Sequence, residues 1–267
     1  MRATIYNRME YLKKIQRENR LAGIVQIATV SGILILWERI TAAGIADPFI
    51  VSSPARMIKT FLQMAGGELW VHVLYTVGET LAGFGIGVII GVVIAVMLWF
   101  FPFANRVCAP FLVVLNSLPK VALGPVIIVW AGAGMSAIVT MAVAISLIVT
   151  VMELSHGFYA TDSNLLTTVQ SFGASKWESF CKIVLPFNIP VLFQSLKVNI
   201  GLSLVGVIAG EFLVSKAGLG YLIVYAGQVF RMDLVMMSVV LLGIIAFGMY
   251  RGISFLEKAA VKFINHI

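Results

Sequence analysis

Charge is scarce in this chain. Of its 267 residues only 12% are Asp, Glu, Lys or Arg, while 60% are hydrophobic. Soluble domains are roughly a quarter charged and about half apolar. A fold with this composition could not cover its apolar surface in water, so the chain belongs in lipid. Metal ligands are scarce too. His72, His156 and His266 lie far apart, and Cys108 and Cys181 sit in no motif, so neither a zinc site nor a disulfide framework is supported. No G-x4-G-K-[ST] loop is present, which leaves the chain without a P-loop for nucleotide hydrolysis. The absence of a G-x-S-x-G elbow or a His/Glu metal pattern argues against an intramembrane enzyme. Neither an internal repeat nor a pair of intramembrane acids stands out, and an ion-driven secondary transporter would be expected to show one of them. The net charge of +7 does not indicate nucleic acid, because the basic residues gather between the apolar runs.

Those runs are what the chain does have. A spanning helix needs about 20 mostly apolar residues. Six segments qualify: 21–43, 77–100, 109–130, 136–154, 187–214 and 234–250. The expected fold is an all-α membrane protein, a six-span bundle. A basic segment, 1–20, precedes a transmembrane region, 21–254, and a tail, 255–267, follows it. The first run is too long for the core of a signal peptide, and five more follow it, so it reads as an uncleaved span. With the N-terminus inside, segments 1–20, 101–108, 155–186 and 251–267 hold 12 Lys and Arg, against 4 in 44–76, 131–135 and 215–233. That bias predicts both termini in the cytoplasm, and both cysteines at or near that reducing side. The glycines of the second span, Gly78, Gly83, Gly85, Gly87 and Gly91, permit close helix packing.

One polar stretch, 161–186, falls in the predicted cytoplasmic loop. Thr161-Asp162-Ser163 is a helix N-cap region. Leu165, Leu166, Val169 and Phe172 then share a face, and Gly173 stands where a left-handed residue would end the helix. Ser175-Lys176-Trp177-Glu178 is an S-x-x-E capping box that starts a second helix. Its apolar face is Trp177, Phe180, Cys181 and Val184, and Pro186 is expected to end it. From periodicity alone two readings stand: a connector resting on the bilayer, or a compact element offered to a partner.

Gly173, Ile183, Leu185 and Pro186 form the pattern G-x9-I-x-L-P. This resembles the cytoplasmic loop of permease subunits of bacterial binding-protein-dependent ABC importers. The segments "PFLVVLNSLPKVALGPVIIVWAGAG" (110–134) and "VIAGEF" (207–212) followed by "GLGY" (218–221) resemble the nitrate, sulfonate and taurine branch of that family. The likeness runs over about 48–254. It implies a permease subunit without enzymatic activity, in the bacterial inner membrane. The loop, 155–186, would dock on a separate ATPase subunit through Gly173, Ala174, Ser175, Lys176 and Glu178, with Ile183, Leu185 and Pro186 as structural members. It implies a second permease copy, an extracytoplasmic substrate-binding protein, and no cofactor on this chain, ATP and Mg being bound by the ATPase. The family's Glu-Ala-Ala positions are Thr167, Thr168 and Val169 here, a departure at the ATPase contact. A small oxyanion or sulfonate is the default substrate, with a thiamine-precursor-like or other neutral metabolite as the alternative.

Polar groups inside spans are costly, so each is a functional candidate. Asn116 and Lys120 flank Pro119 in the third span, which Pro119 and Pro125 break. Broken helices at that depth are tolerated where protein or a wet cavity satisfies the backbone, so Asn116 and Pro119 are candidates for the translocation path, the alternative being a packing kink. Glu211, near the outer end of the fifth span, is a third candidate, the alternative being an interfacial carboxylate, hydrated or paired with a neighbour. Lys197 is expected to snorkel to the cytoplasmic surface. Glu79 is expected to act as a charge at a helix N-terminus, and Met236 and Met237 as gap-fillers.

Overall fold

The computed structural model describes residues 2–264; Met1 and the last residues of the tail, with His266, lie outside the described residues. Every regular element among the described residues is helical. In chain order these are α1 Arg2–Ala42, α2 Pro48–Val51, α3 Pro54–Met64, α4 Leu69–Phe100, α5 Pro102–Ser117, a 3-10 turn Lys120–Leu123, α6 Gly124–Ala131 and α7 Met135–Tyr159. Then come α8 Ser163–Ser171, α9 Lys176–Ser179, a π turn Phe180–Val184, α10 Leu185–Phe187, α11 Ile189–Val214, α12 Leu219–Gln228 and α13 Met232–Ile264. Five helices are long and apolar enough to cross a membrane, within α1, α4, α7, α11 and α13. A sixth span results if α5 and the Lys120–Ala131 segment, bent by 89° at Pro119, are counted as one.

The centre of the bundle is α7, held between α4 and α11. Gly83, Gly87 and Gly91 recur every four residues on one face of α4. A Cβ on them would overlap Ala142, Ser146 and Thr150 of α7 respectively. The pairs advance in the same direction, so α4 and α7 run parallel. On the other side Gly206 and Gly210 of α11 meet Ala142 and Ile138 in reverse order, so α11 runs antiparallel. In lipid, helices gain little from burying apolar side chains against each other, and small residues let backbones approach closely instead. Gly78 and Gly85 face open space and take no part in this. Polar contacts add to the packing: buried Asn199 donates through Nδ2 to Thr150 Oγ1 and Ser195 Oγ, each at 3.1 Å. Changing Gly87 to leucine should therefore force α4 and α7 apart, an overpacking that costs about 1–3 kcal/mol. A clear fall in the melting temperature of the detergent-solubilised protein is expected, while Gly85→Leu should leave it near the unmodified value.

Helix α1 continues without a break through residue 20, so the basic segment forms its first half. It meets the rest of the chain at its far end, where Glu38 accepts from the backbone N–H of Ala55 at 3.0 Å. Helix α4 begins at Leu69, eight residues before the hydropathy of the second span begins. The ammonium of Lys197 pairs with Glu257 of α13. Pro186 does not end the second helix of the polar stretch. The chain widens into the π turn, with Leu185 N–H reaching back to Phe180 O. A wider turn accommodates a residue without an N–H, whose ring would press on the carbonyl four residues earlier. The break falls instead at Asn188.

Candidate functional site

Residues 188 and 215 flank α11, whose 26 residues span about 39 Å. They mark two ends of the bundle, and each end carries a polar construction.

At the end near Asn188, the stretch 161–186 folds as the local chemistry dictates. The Asp162 carboxylate accepts from Asn164 N–H at 2.8 Å and caps α8. Gly173 takes φ +88°. Its N–H bonds Gln170 O at 2.9 Å, while Ala174 N–H bonds Val169 O at 3.3 Å, the two bonds of a Schellman stop. Ser175 and Glu178 then close both halves of the capping box. Ser175 N–H donates to Glu178 Oε2 at 2.9 Å, and Glu178 N–H donates to Ser175 Oγ at 3.2 Å. Chiefly the Ser175 backbone N–H, then the Ser175 hydroxyl and Lys182, hold the Glu178 carboxyl below its ordinary range. The box is thus intact above the usual carboxylate pKa and is lost as pH falls through the lowered value.

Phe180 and Val184 are buried with Ala95, Trp99, Leu154 and Phe158, which seats the second helix on the ends of α4 and α7. Lys176 donates to Phe100 O, at the end of α4. Its Nζ lies 5.6 Å from the ring centres of both Trp99 and Phe100. This is favourable placement for a cation at a helix C-terminus. Buried Asn188 donates to Thr161 Oγ1 at 2.9 Å and Val184 O at 2.8 Å, tying the start and end of the stretch together. Of the apolar residues assigned to the two helices, Leu166, Val169 and Cys181 are half-buried, while Leu165, Phe172 and Trp177 stay exposed, Phe172 at 87% and Trp177 at 61%. Ile183 is half-buried; Leu185 and Pro186 are exposed.

At the opposite end Glu211 is 1% exposed. Its carboxylate accepts from Thr76 Oγ1 at 2.7 Å and from Gly220 N–H. Leu219 N–H donates to Thr76 Oγ1 at 2.8 Å, and Gly218 N–H to His72 Nδ1 at 3.0 Å. The first N–H groups of α12 are therefore satisfied by side chains of α4 and α11. A carboxylate suits that position because it meets the positive end of the helix dipole. Glu79, also 1% exposed, lies beside Glu211, and its Oε2 has no hydrogen-bond partner among the described residues. It stands ten residues into α4 and is not the helix-start charge expected of it. The paired intramembrane acids absent from the linear sequence are formed here by folding. His72, Thr76 and Glu79 recur at helical spacing on α4, a polar stripe that was the available signal. Hydropathy hid it, because the stripe itself delays the apolar run.

The broken span lies along α7 and α11 and borders two cavities. One, of about 520 Å³, lies among α5, α7 and α11 near the Asn188 end. The other, of about 580 Å³, is lined by apolar residues of the Lys120–Leu123 turn, α6 and α11. Asn116 and Pro119 join the α5 and α6 sections and line neither cavity; Asn116 accepts from Lys120 Nζ through its backbone carbonyl at 2.7 Å. Glu211 lines neither cavity as well.

An all-helical bundle with glycine-mediated contacts, a kinked span and capped end pieces is a polytopic membrane protein. Residues 87–258 match the family described as binding-protein-dependent transport system inner membrane component. The chain belongs to that family. It is 29% identical over 236 residues to the riboflavin transport system permease protein RibX of Chloroflexus aurantiacus, covering 88% of each chain. It is 22% identical over 240 residues to the taurine transport system permease protein TauC of Escherichia coli, covering 88% of this chain and 87% of that one. In fold it is similar to a chain in an inward-facing structure of the MetNI methionine ABC transporter, with a TM-score of 0.65 at 18% identity, over 72% of this chain and 95% of that one.

Proposed function

We propose that the chain is the membrane-embedded permease of an ATP-driven importer, with both termini in the cytoplasm. The stretch 161–186 docks on a separate ATPase that binds ATP and Mg. A second copy of the chain completes the path, and an extracytoplasmic binding protein delivers the substrate. One observation carries this reading: Phe172 and Trp177, large and apolar, stand exposed on either side of the Gly173 turn while Phe180 beneath them is anchored to α4 and α7. A connector resting on the bilayer would need no rigid link to the bundle. Here Lys176 and Phe180 fasten the exposed face to the end of α4, so a push on it moves a span. Gly173, Ala174, Ser175, Lys176 and Glu178 shape that element; Ile183, Leu185 and Pro186 lead it into α11. The broken span with Asn116 and Pro119 borders the path, and Glu211 positions α12 at its outer end. Among substrates, both a sulfonate and a neutral heterocyclic metabolite fit the family.

Single-cysteine labelling tests the arrangement in a Cys108→Ser, Cys181→Ser background. An impermeant reagent applied from outside should modify Ser215→Cys and miss Ser175→Cys. Addition of the ATPase should then protect the latter in inverted membranes. Labelling of Ser175→Cys from outside would overturn the reading.

A further inference from the structure

The cavity of about 520 Å³ has a size suited to a small-molecule site. Three helices supply its polar groups, among them Asn105 from α5, Glu153 and His156 from α7, and Gln194 from α11, with the hydroxyls of Ser155, Tyr159 and Ser195. Leu112 and Val191 are among its apolar walls, and no Lys or Arg lines it. Arg106, beside Asn105 in sequence, is exposed and is not part of the lining, although its charge reaches Tyr159 on the cavity wall. The Glu153 Oε2 atom is shielded from solvent and has no hydrogen-bond partner among the described residues. A buried acceptor without a donor is costly, and native structures rarely leave one without a reason.

We propose that this cavity is a substrate subsite and that it takes a neutral or cationic metabolite with hydrogen-bond donors and an apolar face, such as an amino-substituted heterocycle, and not a sulfonate or oxyanion. The inference rests on the reading of the broken span as the border of the path. An anion here would stand beside the Glu153 carboxyl with no Lys or Arg among the lining residues to offset it, which is unfavourable at low dielectric. Nitrate or a short sulfonate would also leave Leu112 and Val191 unused, having little apolar surface to set against them. A donor-bearing ring suits this lining: its N–H groups meet Asn105 and Gln194 beside the Glu153 carboxyl, and its faces meet the apolar walls.

The test needs no knowledge of the natural substrate. In the Cys108→Ser, Cys181→Ser background, Ala109→Cys places a thiol on the cavity wall. Membranes holding the complete transporter are treated with a trimethylammonium-bearing or a sulfonate-bearing methanethiosulfonate of similar size. Each rate is divided by that reagent's rate with a free thiol. The cationic reagent should be favoured on the order of tenfold, and Glu153→Gln should bring the ratio close to one. A ratio at or below one, or a preference that Glu153→Gln does not change, overturns the substrate class while leaving the path reading intact. A thiol that neither reagent reaches shows that the cavity is not wet, and overturns both.

Discussion

Replacing Gly218 with valine should unseat α12 and sharply reduce both stability and transport. Gly218 holds φ +111°, and a Cβ there would overlap the Glu211 carboxylate. The left-handed backbone alone costs a non-glycine residue about 1–2 kcal/mol, and the overlap adds about 1–3 kcal/mol. The damage spreads because the groups are interlocked. If Gly218 shifts, the Gly220 N–H leaves Glu211, the Leu219 N–H leaves Thr76, and the Gly218 N–H leaves His72. The buried Glu211 carboxyl then loses its Gly220 donor, and the freed N–H groups lose their acceptors; unsatisfied buried polar groups are expensive in lipid. The expected result is a fall of many degrees in melting temperature and loss of uptake. Gly227→Ala, near the other end of α12, where a Cβ meets nothing within 4 Å, should leave both close to the unmodified values. A Gly218→Val protein that melts with the unmodified one would mean that α12 is not held by this cap.

How far the sequence discloses this arrangement depends on the range of the interactions. The polar stretch 161–186 was legible because its causes are local. Asp162, Gly173, Ser175 and Glu178 each act within five residues, through caps whose signatures are short strings. The spans were legible because lipid imposes length and apolarity on each one separately. What escaped was set by distant partners. Thr76 and Glu211 are 135 residues apart, so nothing near Glu79 shows that it lies against another acid. The ion-pair partner of Lys197, Glu257, is on another helix and 60 residues away, so no local signal announces it. Helix α12 has only ten residues, too few for a span, and its N-terminus is capped by other helices. Pro186 was read by the rule for an α-helix, but a π turn offers another way to absorb a proline.

Gly173→Val should separate structure from coupling. A Cβ at Gly173 would meet nothing within 4 Å, so sterics with neighbours are not at issue; the φ of +88° is. Valine resists that region, at a cost of about 1–2 kcal/mol. The cheapest relief is to abandon the Schellman stop, letting α8 swing relative to the capping box that begins at Ser175. The spans do not depend on this turn, since α4, α7 and α11 are held by their own glycine contacts and by burial in lipid. Melting temperature and membrane insertion should therefore stay near the unmodified values. What changes is the spacing of Phe172 and Trp177, the exposed pair proposed to contact the ATPase. In proteoliposomes containing the complete transporter, substrate-loaded binding protein should no longer stimulate ATP hydrolysis, or the ATPase should dissociate on purification. Gly173→Asn supplies the contrast, because asparagine enters the left-handed region more readily than other non-glycine residues. It should restore a substantial part of the stimulation. A Gly173→Val complex that stays assembled and transports at the unmodified rate would leave 161–186 as a connector on the bilayer surface.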